Sequence, residues 1–267
     1  MVLQDKVIVV TGAGGGIGSA LALGLLERGA RVVAVDLRDE ALQRLRAQAG
    51  DAADRLSLRT INITDKTAVA ALPQTVIETF ETIDGLINCA GIIQPFVKVN
   101  DLSYDAIERV MNVNFYGTLY MVKAFLPQLL QRPEAHLVNV SSMGGFLPVP
   151  GQGVYGASKA AVKLLTEALY AELLTTNVHV TVVFPGATQT DITKNSGVDA
   201  PGGASADMQK MPMLSAEAAA GIILDGVEKN KPQIFTGKDS RMMNKLYRLA
   251  PTYATRLIAK RMQALLG

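Results

Sequence analysis

The chain has 267 residues, 49% apolar and 19% charged, with a net charge of +2 at neutral pH. That length suits one continuous α/β core spanning residues 1–267 better than two small domains. The near-neutral balance gives no general case for nucleic acid, which needs a basic patch or stripe, and apolar runs broken well short of about twenty positions argue against a membrane span.

The first apolar run, Val7 to Val10, follows Asp5 and Lys6 so closely that no room is left for a signal peptide, and a cytoplasmic location is the default expectation. Short β-branched runs then alternate with helical patterns, which predicts a doubly wound parallel sheet in a three-layer α/β/α arrangement. Strands are expected at Lys6 to Thr11, Arg31 to Asp36, Arg55 to Ile61, Ile83 to Asn88, Ala135 to Ser141, Val178 to Phe184 and Gln233 to Phe235. Helices are expected at about 17 to 29, 39 to 49, 65 to 81, 104 to 131, 154 to 175 and 215 to 229, with one long loop over 186 to 214. A connection of that length inside a compact domain is uncommon unless it is functional, typically as a lid.

The first strand runs into Gly12-Ala13-Gly14-Gly15-Gly16-Ile17-Gly18 and then a helix. Glycines there let the backbone approach a pyrophosphate, whose charge meets the N–H groups and positive dipole end of the helix. The second strand ends at Asp36, at the spacing expected for the acid that holds an adenine ribose. A carboxylate there repels a 2′-phosphate, which favours NAD over NADP, although Arg38 two residues on could pair with one. Asn62-Ile63-Thr64-Asp65 and Asn88-Cys89-Ala90-Gly91 end the third and fourth strands, facing the crevice where open α/β sheets bind ligands.

Further along, the fifth strand ends near Ser142, and Tyr155 and Lys159 stand at i and i+4 on a helical stretch, hence on one face. A charge about 4 Å from the phenol, in an effective dielectric of about 20, is worth roughly 4 kcal/mol, or about three pKa units as an upper figure. That would bring Tyr155 toward the operating pH of a general acid/base. Cys89 is the only cysteine, and His136 and His179 have no ligand-like spacing, so neither a disulfide nor a metal site is expected.

Together, Thr11-Gly12-x-x-x-Gly16-Ile17-Gly18, Asn88-x-Ala90-Gly91, Asn114 within Val113 to Gly117, Ser142, Tyr155-x-x-x-Lys159 and Pro185-Gly186-x-x-x-Thr190 resemble the short-chain dehydrogenase/reductase family, in order over residues 6 to about 236. The resemblance implies a Rossmann-type oxidoreductase that uses NAD to interconvert a secondary alcohol and a ketone. Tyr155 would be the acid/base, Ser142 would orient the substrate oxygen, Lys159 would hold the nicotinamide ribose and lower the tyrosine pKa, and Asn114 would support a water-linked relay. Asn62, Ile63, Asn88, Ala90 and Gly91 would serve the adenosine side, and Pro185, Gly186, Thr188 and Thr190 the nicotinamide carboxamide. The family also implies a homodimer or homotetramer built partly from the helices at 104 to 131 and 154 to 175. Two departures, Cys89 and Asn62 where the pattern usually has asparagine and aspartate, touch only the adenosine contacts.

Met208, Met211 and Met213 in the long loop suggest a pliable cover over a fairly apolar substrate. Beyond the last strand, 239 to 267 reads as a basic amphipathic tail: Arg241, Lys245, Arg248, Arg256, Lys260 and Arg261 alternate with Met242, Leu246, Leu249, Tyr253, Leu257, Ile258, Met262 and Leu265, and Pro251 divides the stretch. Such a pair of helices could touch a membrane surface or an acidic carrier. A solvated basic face whose apolar stripe closes the pocket or a subunit contact is the simpler expectation. Two further functions stay open: an NADPH-dependent 3-ketoacyl reductase acting on carrier-linked chains, and a non-catalytic nucleotide-binding regulator of the same fold.

Overall fold

The computed structural model describes residues 1–198 and 213–262. The elements run β1 (Val7–Thr11), α1 (Gly16–Glu27), β2 (Arg31–Asp36), α2 (Asp39–Ala49), β3 (Leu56–Thr60), α3 (Lys66–Phe80), β4 (Gly85–Asn88) and α4 (Tyr104–Met111). A π-helical stretch (Asn112–Gly117) joins α4 to α5 (Thr118–Leu129), and β5 (Ala135–Val140), α6 (Gly153–Glu172), β6 (Val178–Pro185) and α7 (Ile192–Ser196) follow. The chain continues with α8 (Ala216–Glu228), β7 (Gln233–Thr236), α9 (Lys238–Leu249) and α10 (Pro251–Arg261).

The strands form one seven-stranded parallel sheet in the order β3-β2-β1-β4-β5-β6-β7. Val7 to Val10 and Val32 to Val35 are buried throughout, as strands covered on both faces require. Ile8, Val10 and Val32 pack on one side against Leu21 and Leu25 of α1, Leu42 of α2 and Ile223 and Leu224 of α8. Val7, Val9 and Leu137 pack on the other against Leu72 of α3, Phe125 and Leu129 of α5 and Leu169 of α6. The architecture is Rossmann-like, with the strand order reversing direction between β1 and β4, where a crevice must open at the strands' carboxyl ends. Asp65 starts α3 by accepting from the N–H groups of Thr67 and Ala68, a cap that fits its place just after a strand.

Two expectations needed revision. The helix expected over 104 to 131 runs continuously from Tyr104 to Leu129 but widens into the π-helical stretch, in which Asn114 is fully buried and bonds away from its own helix. The loop over 186 to 214 contains α7, and its ends are zipped together by Gln189 N–H to the Leu214 carbonyl and Leu214 N–H to the Ala187 carbonyl, both 2.9 Å. Met208, Met211 and Leu265 lie outside the described residues. Pro251 opens α10, where its missing N–H costs nothing. Among the described residues no helix is long and apolar enough to cross a membrane.

Candidate active site

The crevice between β1 and β4 is the mouth of a cleft of about 390 Å³. Thr11 fastens it: its hydroxyl oxygen accepts from the N–H groups of Cys89 and Ala90 at 3.1 and 3.2 Å, tying the ends of the two strands. Gly12 has φ +69°, and a Cβ there would lie 2.7 Å from the Ala90 Cα, so only glycine fits the turn. The α1 N-terminus that follows has no side-chain cap and no acid in its first turn. Its dipole end is left for an anion supplied from outside the chain, which fits a pyrophosphate.

Asp36 closes this end. Its Oδ2 accepts from Gly14 N–H at 2.9 Å and its Oδ1 from Arg38 N–H at 3.0 Å, which fixes the carboxylate at the cleft wall. It does not cap α2, whose N-terminus has no side-chain cap. The Arg38 guanidinium is drawn elsewhere: Nη1 donates to Asn195 Oδ1 at 2.6 Å, and Nε is 3.5 Å from Asp36.

At the far end, Ser142, Tyr155 and Lys159 converge on the same cleft. The Ser142 oxygen accepts from Gly144 N–H at 3.0 Å, which fixes its rotamer and leaves its own hydrogen to donate. Lys159 is buried, and its Nζ donates to the Val140 carbonyl at 3.0 Å. The expected lowering of the tyrosine pKa by Lys159 is not found. Burial raises the Tyr155 phenol, a hydrogen bond with Ser142 pulls it down, and Cys89 adds to the rise. Burial also holds Lys159 down to about 8. A low-polarity site penalises phenolate and ammonium alike, and burial is the largest influence on both groups. Burial pushes the Cys89 thiol up to about 11 against the pull of Lys159, which disfavours its nucleophilic thiolate form.

The sequence-predicted residues Gly12, Gly16, Ile17, Gly18, Asp36, Asn62, Ile63, Ala90, Gly91, Pro185, Gly186, Thr188 and Thr190 line the cleft together with Ser142, Tyr155 and Lys159. Gly14 faces an adjoining groove that also exposes Arg38, Arg44 and Met213. Asn88 and Asn114 stand behind the wall. Asn88 Nδ2 donates to Asn139 Oδ1, while Asn114 holds the Ile92 backbone by both its N–H and carbonyl and donates to Ser158.

A family model described as short chain dehydrogenase matches residues 6–200. The chain belongs to this family. A Mycobacterium tuberculosis chain designated an oxidoreductase, SadH, is 34% identical over 262 residues, 96% of this chain and 95% of that one. A short-chain dehydrogenase/reductase from Burkholderia phymatum in complex with NAD superposes with a TM-score of 0.83 at 27% identity, covering 93% of this chain and 96% of that one. A Burkholderia cenocepacia short-chain dehydrogenase in complex with NADP gives 0.81, also at 27%, covering 97% and 99%. The chain is therefore an oxidoreductase of a family whose neighbours bind either nicotinamide dinucleotide.

In this short-chain dehydrogenase the sequence reading missed two groups. Gln94 is fully buried, and its Oε1 accepts from the N–H groups of Val154 and Tyr155 at 2.8 and 3.0 Å, capping the helix that carries the tyrosine. A glutamine in a loop carries no signal for that. The second group holds α7 over the cleft: Arg38 on Asn195, Arg109 Nη2 on the Ser196 carbonyl at 3.1 Å, and Ile93 N–H on Ser196 Oγ at 3.0 Å. These contacts join residues far apart in the chain, so local pattern could not reveal them. Among the described residues no group of three or more His, Cys, Asp or Glu is placed to hold a metal ion.

Proposed function

We propose that the chain is an NAD-dependent oxidoreductase interconverting a secondary alcohol and a ketone, with Tyr155 as general acid/base. One observation carries the reading: Ser142, Tyr155 and Lys159 meet at one end of a cleft whose other end is the fixed carboxylate of Asp36. Gly12, Gly14, Gly16, Ile17 and Gly18 would hold the pyrophosphate, and Asp36, Asn62, Ile63, Asn88, Ala90 and Gly91 the adenosine side, with Asn88 acting from behind the wall. Lys159 would hold the nicotinamide ribose, and Pro185, Gly186, Thr188 and Thr190 the carboxamide. Bound nicotinamide supplies the hydride chemistry.

The chain's own work is on the proton. In oxidation the Tyr155 oxygen takes the hydroxyl proton of the substrate, and in reduction it returns that proton to the carbonyl oxygen. Ser142 Oγ–H donates to the same substrate oxygen and orients it. Asn114 steadies Ile92 and Ser158 behind Lys159, the place from which a water-linked relay would be supported. Ile92 and Ile192 give the reacting end an apolar wall, which suits a substrate of low polarity. Exposed Tyr116, Leu164, Tyr170 and Leu174 on the π-helical stretch and on and after α6 support a homodimer or homotetramer through those helices.

NADP has one observation in its favour, since Arg38 and Arg44 both line the groove beside Asp36. That groove keeps the NADPH-linked ketoacyl reductase in view, while the complete Ser142, Tyr155 and Lys159 set argues against a non-catalytic regulator. Calorimetry on the wild type and Asp36→Ala decides the cofactor. NADH should bind about tenfold or more tighter than NADPH, and the substitution should remove the difference. Tyr155→Phe should cut turnover on a panel of secondary alcohols about 10²–10⁴-fold while NADH affinity holds. Tighter NADPH would overturn the NAD assignment, and undiminished turnover in Tyr155→Phe would overturn the role of the tyrosine.

A further inference from the structure

We propose that α9 and α10 form a docking surface for bilayers carrying anionic lipid headgroups. Charge is divided unevenly along the chain. Residues 241–267 hold six basic side chains and no acid, leaving 1–240 with 20 basic and 24 acidic ones, so a body of net −4 carries a tail of net +6. The chain's small overall charge conceals a strongly cationic end.

The two helices are firmly seated by one face only. Met243, Ala254, Leu246, Tyr247 and Ile258 pack on Leu147 and Phe146, just past Ser142. Asp239 Oδ2 accepts from Ala187 N–H at 2.9 Å, and the Ser240 hydroxyl donates to the Phe184 carbonyl at 2.9 Å. The outer face presents Arg241, Lys245, Arg248, Arg256, Lys260 and Arg261, all exposed. Among them stand exposed apolar side chains: Met242 is 59% exposed, Leu249 87% and Tyr253 60%.

Arg248, Leu249, Pro251, Thr252 and Tyr253 are all exposed and make the bend between the helices a solvent-facing knuckle. A knuckle tipped by leucine and tyrosine and flanked by cations suits an interfacial layer, where aromatic and aliphatic tips enter the headgroup region and Lys and Arg pair with phosphates. Because the inner face covers the segment after Ser142, docking would set the substrate end of the cleft beside the bilayer.

Co-sedimentation of the full chain with vesicles tests this without any activity. Binding to phosphatidylcholine vesicles containing about 30% phosphatidylglycerol should exceed binding to phosphatidylcholine alone by about tenfold. It should fall back at about 0.5 M salt, where screening is short-ranged. A Leu249→Ser/Tyr253→Ser variant and an Arg248→Gln/Arg256→Gln variant should each lose about fivefold or more of the anionic binding. Turnover without vesicles should be unchanged in both, which also shows that they fold. Equal binding to the two vesicle types, or unimpaired variants, would overturn the proposal. So would a smaller oligomer for the Leu249/Tyr253 variant in light scattering, since the face would then be a subunit contact, or binding of an acidic acyl carrier protein with none to vesicles.

Discussion

His136 is buried beside His179 with its Nε2 2.8 Å from the Thr181 hydroxyl, whose own hydrogen goes to the Lys231 carbonyl. Nε2 is therefore the donor, and Nδ1 is left unprotonated and without a partner among the described residues. Burial, with His179 and the N-terminal amine adding to it, holds its pKa down to about 3. The folded state keeps this ring neutral while the unfolded chain protonates it near pH 6.5. Stability from this group is complete above that pH and is lost as pH falls toward 3. Between pH 7 and 5 the loss should be about 2 kcal/mol, read as a fall in the chemical-denaturation midpoint. His136→Leu should flatten that slope, and an unchanged slope would remove the histidine from the account. Such single residues vary in how plainly the sequence announces them. Tyr155 and Lys159 are legible because a helix fixes what i and i+4 share. Their protonation is not, because it depends on burial and on the charge interaction with Cys89, which only the fold brings near.

Among the elements, α6 depends on another segment for its start. Its N-cap residue, Gln152, makes no side-chain cap, and the two N–H groups at its start are met by Gln94 from the loop after β4. Gln94 Nε2 in turn donates to the Gly151 carbonyl at 3.0 Å, and the Gln152 side chain donates to the Gln94 carbonyl at 2.9 Å. Gln94→Leu would strand two N–H groups in a buried place, a cost of about 1–3 kcal/mol each. We expect a lower melting temperature together with a roughly tenfold fall in kcat, the phenol being less well placed, and little change in NADH affinity. Gln94→Glu keeps the acceptor and should recover most of kcat. Equal losses in both variants would reduce Gln94 to a packing role. Strand and helix identities were plain from the alternation of β-branched and amphipathic runs. The π-helical stretch was not, since an added residue leaves the apolar pattern of the helix almost intact and is stabilised by contacts of Asn114 to Ile92 and Ser158.

For the whole molecule, the strand-helix alternation foretold a doubly wound sheet, yet the sheet order itself is a matter of which non-adjacent strands pair. The β1–β4 contact that opens the cleft joins residues about eighty positions apart, with Thr11 facing Asn88. The tail illustrates the same limit. Its period was visible, but which face would be spent on Leu147 and which left outward depended on the packed body.

All seven strands point the same way, so the sheet has two unlike rims. Every group of the cleft stands at the rim where strands end. At the other, Asp84 is buried, accepts from Val7 N–H and from Arg132 Nε at 2.9 Å each, and stitches the starts of two strands to the end of a helix, with His136 nearby. Asp84 and its partners thus fasten the sheet at the pole away from the cleft. An engineer can harden this protein from the fastening pole without entering the place where substrates are turned over.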